Sequence, residues 1–275
     1  MKTLIIKSIG FTLNTISFVS KKYAATHALE LFTKPLKGRI NERQSKFLDT
    51  AHKEELLHKG IPIMTYRWSG NKKTILLAHG WESNSARWED LIIELNRTGY
   101  NIVVLDAPAH GNSGGRRFNA ILYSEFIATV SKRFNPDIMI GHSVGGMASV
   151  FSLKEYPNQN AKKLILLGAP SEFKNILNQY VDLMGYNNNI RTTLNDIIIE
   201  RFGKAPDDFS TAKYIQSLET EILIVHDKLD KIIPYQDALL IKNNHQNSTL
   251  ITTEGLGHSL RHQSIVEYIF NFIEN

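Results

Sequence analysis

From residue 73 onward the chain alternates between two patterns. Short, mostly apolar runs recur at 73–78, 101–105, 136–140, 163–168, 221–227 and 249–253. Between them lie longer stretches in which apolar residues return every three or four positions, at 84–98, 119–134, 145–157, 235–243 and 262–273. The short runs read as strands buried on both faces, and the longer stretches as amphipathic helices. Strand and helix in turn predict a mostly parallel sheet with helices on both faces. Ahead of this region, 53–58 and 61–68 read as two strands joined at Lys59-Gly60, and Gly70-Asn71 turns into the next strand. Helices are expected over 2–20, 23–33 and 41–51, with a break at Pro35 and Gly38. Between Ala169 and Gln216 the rhythm fails: no strand is evident, and Phe173, Ile176, Leu177, Tyr180, Leu183, Met184, Tyr186 and Phe202 are scattered through an insertion. The expected organisation is a helical extension over 1–51 and one α/β domain over 52–275, interrupted at about 169–216.

The candidate chemistry lies in the turns that follow the predicted strands. Gly141-His142-Ser143-Val144-Gly145-Gly146 stands between the run ending at Ile140 and a helical stretch. A serine on a tight strand-to-helix turn, flanked by small residues at −2 and +2, is a G-x-S-x-G nucleophile elbow. Side chains at 141 or 145 would collide with the neighbouring strand and helix, and the turn forces the serine into a sparsely allowed conformation. The same turn aims the Val144 N–H, at a helix N-terminus, towards a developing oxyanion. Upstream, the run at 73–78 ends in His79-Gly80-Trp81, a step that leaves the Trp81 N–H free as a second donor. Asp106-Ala107-Pro108-Ala109-His110-Gly111-Asn112-Ser113 follows another strand. Asp227 and Asp230 follow the run at 221–227, and His258 follows the last one. The order is Ser, then Asp, then His, each just past a strand. Spacing alone leaves room for either aspartate.

These motifs resemble those of α/β-hydrolase-fold proteins of the ester-hydrolase type, over roughly 52–275. The order matches that fold and differs from chymotrypsin-like and subtilisin-like enzymes. The resemblance implies Ser143 as nucleophile, Asp230 as acid, His258 as general base, and the Trp81 and Val144 amides as oxyanion hole. The family's D-x-P-x-H-G-x-S loop is present as Asp106 to Ser113, with Ala109 where glycine is more usual. The H-G-x step departs from the H-G-G-G of some lipases. The insertion corresponds to the family's cap, implying a small helical lid over a largely apolar pocket. The activity implied is hydrolysis of a carboxylic ester or thioester of a small, largely apolar substrate, through an acyl-enzyme. The alternatives are acyl transfer or C–C bond hydrolysis by the same triad, and a non-catalytic ligand receptor on the same scaffold.

Composition narrows this further. The absence of cysteine excludes disulfides, thiolate catalysis and cysteine metal sites. The ten histidines form no H-E-x-x-H or comparable cluster, so no metal and no cofactor is expected. Residues 1–70 carry 12 lysines and arginines against 5 acids, a charge of +7, and the remainder carries 20 against 22, or −2. The basic excess is therefore N-terminal. There, 2–20 reads as a helix with two apolar stripes, Ile5/Ile9/Leu13/Ile16 and Leu4/Phe11/Phe18. Lys7 and Asn14 interrupt it, which argues against a signal peptide and against a membrane span. Two readings follow: a helix docked on the core, which is favoured, or an interfacial helix on anionic lipid with Lys2, Lys7, Lys21 and Lys22 as contacts. Nucleic-acid binding is not expected without a recognition motif. The expected setting is cytoplasmic, with peripheral membrane contact through 1–22 under the second reading.

Overall fold

The computed structural model describes every residue except Met1 and Asn158, and every side chain except those two and those of Lys2 and Thr3. Its elements, in chain order, are α1 (Lys2–Ser17), α2 (Lys21–Thr33), α3 (Glu42–Leu48), β1 (His52–His58), β2 (Ile61–Trp68), β3 (Thr74–Ala78), α4 (Glu89–Arg97), β4 (Asn101–Leu105), α5 (Ala120–Phe134), β5 (Ile138–His142) and α6 (Val144–Glu155). There follow β6 (Lys163–Leu167), α7 (Phe173–Met184), α8 (Asn188–Phe202), α9 (Thr211–Ile215), β7 (Glu221–Asp227), α10 (Tyr235–Asn243), β8 (Ser248–Thr253) and α11 (Gln263–Glu274). Two compact units result, one of residues 35–171 with 211–275, the other of 1–34 with 172–210.

The first unit is built on an eight-stranded sheet of order β1-β2-β4-β3-β5-β6-β7-β8. β2 pairs antiparallel with both β1 and β4, and every other pairing is parallel. This is the expected α/β class. Its strands β3 to β7 are largely apolar because both faces are covered. Leu76, Val103, Met139, Leu164 and Ile222 pack with Phe126, Ile127 and Ala148 on one face. Ile75, Ile102, Ile140, Ile165 and Leu223 pack with Ile92, Leu95, Ile265 and Ile269 on the other. The two-residue turn between β1 and β2 holds Lys59 at φ 49° and Gly60 at φ 77°, the twist a tight hairpin needs. β3 lies between β4 and β5, so successive connections leave it in opposite directions. The crevice past the carboxyl ends of strands at such a reversal is where open α/β sheets bind ligands.

The second unit is helical. α2 packs against α8 and α1, and its fully buried Ala24, Ala25 and Ala28 are small residues that permit close helix approach. α1 crosses α7 at Gly10, where an added Cβ would stand 1.9 Å from the Met184 carbonyl oxygen. Asn14, which interrupts the apolar pattern, ties down the α7–α8 turn: its Nδ2 donates to Gly185 O at 2.8 Å and its Oδ1 accepts from Asn187 N at 2.8 Å. Tyr180 donates to Ala28 O at 2.8 Å and its ring lies 4.8 Å from that of Phe32. Apolar residues of the insertion therefore serve this unit's own interior, Leu177, Met184 and Tyr186 among them.

The unit boundaries thus run differently from a 1–51 extension and a 169–216 insertion. α3 belongs with the sheet, where Phe47 stacks on Trp68 at 5.3 Å and Leu48 packs with Tyr66 and Ala86. α9 belongs there too, Thr211 N donating to Ser171 O at 2.8 Å. Among the described residues no helix is long and apolar enough to cross a membrane.

Candidate active site

The elbow forms where β5 runs into α6. Ser143 is buried and sits at φ 54°, ψ −128°, a region costly for any residue with a side chain. Surrounding contacts over-determine that conformation. Ser143 N donates to Leu167 O at 2.8 Å, and its carbonyl accepts from Gly146 N at 2.9 Å. A Cβ at Gly141 would stand 2.5 Å from Gly146 Cα, and one at Gly145 would stand 2.4 Å from Ala78 O. Both glycines are thus required by close approach, at the −2 and +2 positions the motif anticipated.

The end of β3 presses on the same serine. A Cβ at Gly80 would lie 2.9 Å from Ser143 Cβ and 3.0 Å from His142 Nδ1. Two buried imidazoles fix the peptides around Trp81. His79 Nε2 accepts from Ala107 N at 2.9 Å, so its Nδ1–H donates to Gly80 O at 2.8 Å. His110 Nε2 accepts from Glu82 N at 3.0 Å, so its Nδ1–H donates to Pro108 O at 2.8 Å. Burial, with His110 nearby, lowers the His79 pKa to about 3, and burial lowers that of His110 as well. Both rings are neutral, as these hydrogen bonds require. The Trp81 ring is wedged between His110 and Phe118, at 5.4 and 5.2 Å. Among the described residues, neither the Trp81 nor the Val144 backbone N–H is engaged by a hydrogen bond.

Asp106 anchors the loop beneath. It is fully buried, and its carboxylate accepts from Ser85 N and Oγ at 2.9 and 2.7 Å, Asn112 N at 2.8 Å and Tyr66 OH at 3.1 Å. Burial still raises its pKa. Ala109 takes φ 64° in this loop. That left-handed backbone is the reason glycine suits the position, and alanine carries a strain of about 1–2 kcal/mol there.

The two aspartates after β7 have different surroundings. Asp227 accepts from Leu229 N, Thr253 Oγ1 and Leu256 N at 2.9, 2.8 and 2.9 Å, and from Gly255 N at 3.3 Å, which ties the post-β7 loop to the post-β8 loop. Asp230 turns the other way: its Oδ2 meets His258 Nδ1 at 2.7 Å, while its Oδ1 accepts from Ile232 N and Ile233 N at 2.8 and 3.0 Å. Gly168 lies beside this pair at φ 57°, a left-handed backbone that favours glycine. A Cβ there would stand 3.5 Å from His258 Nδ1 and 3.6 Å from Asp230 Oδ2. Its neighbour Leu167 holds the Ser143 amide, so Leu167-Gly168 is the strand end shared by both halves of the site.

Two further histidines are part of the arrangement. The fully buried His226 donates from Nε2 to Ile233 O at 2.9 Å and lies 3.4 Å from Asp230 Oδ2. His142 donates from Nε2 to the His258 carbonyl at 2.8 Å, and burial holds its pKa well below the usual range. His226 had no signal beyond a polar residue inside an apolar strand. Among the described residues, no group of three or more acidic or imidazole side chains is arranged to hold a metal. The site therefore offers a hydroxyl on a strained turn, a carboxylate-paired imidazole and two unengaged amides.

A family model described as alpha/beta hydrolase fold matches residues 73–212. The chain is 23% identical to a bifunctional esterase/perhydrolase of Acinetobacter calcoaceticus, over 73% of this chain and 91% of that one. Among solved structures it resembles an esterase from Exiguobacterium antarcticum with a TM-score of 0.61 and 18% identity, covering 78% of this chain and 97% of the other. It also resembles the thioesterase domain from the curacin biosynthetic pathway, with a TM-score of 0.59 and 17% identity, covering 80% and 99%. At such identities the structural likeness concerns the fold alone.

Proposed function

The chain belongs to the alpha/beta hydrolase fold family, and from that premise we propose that it is a serine hydrolase acting on carboxylic esters or thioesters through an acyl-enzyme. Ser143 Oγ attacks the substrate carbonyl as His258 takes its proton. Asp230 keeps the proton on His258 Nδ1 before attack, leaving Nε2 as the base, and stabilises the imidazolium afterwards. The Trp81 and Val144 amides receive the oxyanion, one such donor being worth about 3–4 kcal/mol. His258 returns its proton to the leaving alkoxide or thiolate as the C–O or C–S bond breaks. Water, deprotonated in turn by His258, then attacks the acyl carbonyl, and the proton passes from His258 to Ser143 Oγ as the ester bond breaks and the acid leaves.

The observation that carries this reading is the 2.7 Å contact between His258 and Asp230, held at the strand end that also holds the Ser143 amide. The relative named a bifunctional esterase/perhydrolase supports the ester class. The small, largely apolar acyl group follows from the family resemblance, since Val144, Trp81 and Phe118 pack against the protein's own core. Rates on p-nitrophenyl esters of increasing acyl length test it. The expectation is saturable hydrolysis favouring short acyl chains, reduced at least about 10⁴-fold in kcat by His258→Ala. Absence of turnover on every ester and thioester tried, by a folded protein, would overturn the reading.

A further inference from the structure

Of the two apolar stripes on α1, only one is used inside the protein. Leu13 is buried and Ile9 and Ile16 are half-buried, on the side that Gly10, Asn14 and Ser17 fix to the rest of the helical unit. The other stripe faces solvent. Leu4, Phe11 and Phe18 are 71%, 74% and 78% exposed, and Val19 in the following turn is 93% exposed. Single exposed apolar residues are ordinary, but Leu4 and Phe11 on one helix face, continued by Phe18 and Val19 in the turn that follows, form an exposed apolar row.

The polar residues on this side are of two kinds. Thr12 and Thr15 turn their hydroxyls back to the Ser8 and Phe11 carbonyls, at 2.9 and 3.0 Å, so those donors are satisfied within the helix. Lys7 lies between Leu4 and Phe11 at i+3 and i−4 spacing, on the same face. Lys21 is exposed just beyond the turn, and Lys22 is paired with Glu200 at 3.0 Å. The sequence contains no acidic residue before Glu30. An apolar row edged by cations and free of anions complements an anionic bilayer surface. It complements a second copy poorly, because that would bring Lys7 and Lys21 against their own equivalents.

We propose that α1 is a lipid-interface helix, seating the protein on anionic bilayers through Leu4, Phe11, Phe18 and Val19 with Lys7 and Lys21 at the headgroup phosphates. From Ile9 to Ile16 the inner stripe stays packed, with Ile5 exposed ahead of it, so docking requires no release of the helix. The helix lies in the plane of the surface, consistent with no described helix being able to span a membrane. The inference does not rest on ester hydrolysis.

Flotation of the full chain with vesicles tests it, comparing phosphatidylcholine alone with a mixture containing about one third phosphatidylglycerol. The wild type is expected to float with the anionic vesicles and to release as salt rises. Leu4→Ser/Phe11→Ser/Phe18→Ser should lower partitioning on the order of a hundredfold. Lys7→Glu/Lys21→Glu should lower it by roughly tenfold or more at low salt. Both variants should keep the wild-type Tm, since the altered side chains are exposed. A wild type that stays in the soluble fraction would overturn the proposal, as would a triple variant that still floats. Light scattering that shows a wild-type dimer dissociated by the triple substitution would also overturn it, by giving the face to a second copy.

Discussion

Asp230 and His258 meet through a single carboxylate oxygen, Oδ2, at 2.7 Å from Nδ1, while the other oxygen is taken by the amides of Ile232 and Ile233. Burial alone would raise this carboxyl's pKa. The hydrogen bonds from His226, His258 and the two amides outweigh it and hold the group well below the usual carboxylate range. Asp230 is therefore ionised at neutral pH, and it presents a fixed acceptor to the Nδ1 edge of the imidazole.

Asp227 supplies the contrast. It accepts from three backbone amides and a threonine hydroxyl, so an amide in its place would set an N–H against donors. Asp227→Asn should cost about 1–3 kcal/mol of stability while leaving kcat of the folded protein within about tenfold. Asp230→Asn should cost about 10⁴ in kcat by presenting the wrong hydrogen-bonding partner to His258. Urea midpoints and kcat on one ester, measured for both variants, check the pair. The reverse ranking would exchange their roles.

The Gly80 contact gives a second prediction. A methyl group there would lie 2.9 Å from Ser143 Cβ, and its relief moves the turn that carries the Trp81 amide. Gly80→Ala should reduce kcat by about 10²–10³ with KM little changed, the loss expected from a misplaced oxyanion donor. Gly185→Ala is the control. It meets nothing within 4 Å but has φ +66°, so it should cost about 1–2 kcal/mol of stability and leave kcat unaltered. Equal kcat losses in the two variants would contradict the assignment.

Much of this was legible locally. The strands β3 to β7 announced themselves because burial on both faces leaves no polar alternation, and the elbow because its glycines are demanded by contacts between adjacent elements. Asp227 and Asp230 could not be separated by spacing. What distinguishes them is which donors reach them from beyond β8, a matter of the sheet's assembly. The union of α1 and α2 with α7 and α8 was likewise invisible. It depends on Gly10 meeting Met184 and Asn14 meeting Asn187, more than 170 positions apart. Within α1 both stripes look alike in sequence, and only packing shows which one is covered.

The buried imidazoles predict an acid-side loss of stability. His79 and His142 are neutral in the fold, with pKa values lowered by burial, His79 to about 3 and His142 well below the usual value. The unfolded chain binds protons at these rings below about pH 6.5, whereas the folded protein does not. Stability is therefore fully present above that pH and falls below it, by about 1.4 kcal/mol per ring and pH unit, the His79 contribution continuing to about pH 3. Asp106, raised by burial, acts in the opposite sense within the carboxylate range. Urea midpoints at pH 7.5, 6.5 and 5.5 should be level across the first interval and drop across the second, by less in His79→Gln. A midpoint independent of pH across these values would contradict the neutral-ring assignment.

The central claim is that Ser143, activated by His258, carries the acyl group. Its most direct test is intact-protein and peptide mass spectrometry after brief exposure to a p-nitrophenyl ester or a fluorophosphonate. The account predicts one adduct per chain, confined to the peptide containing Ser143. That adduct should be absent from Ser143→Ala and strongly slowed in His258→Ala, with both variants folded. A covalent adduct on another residue, or undiminished ester turnover by Ser143→Ala, would contradict it.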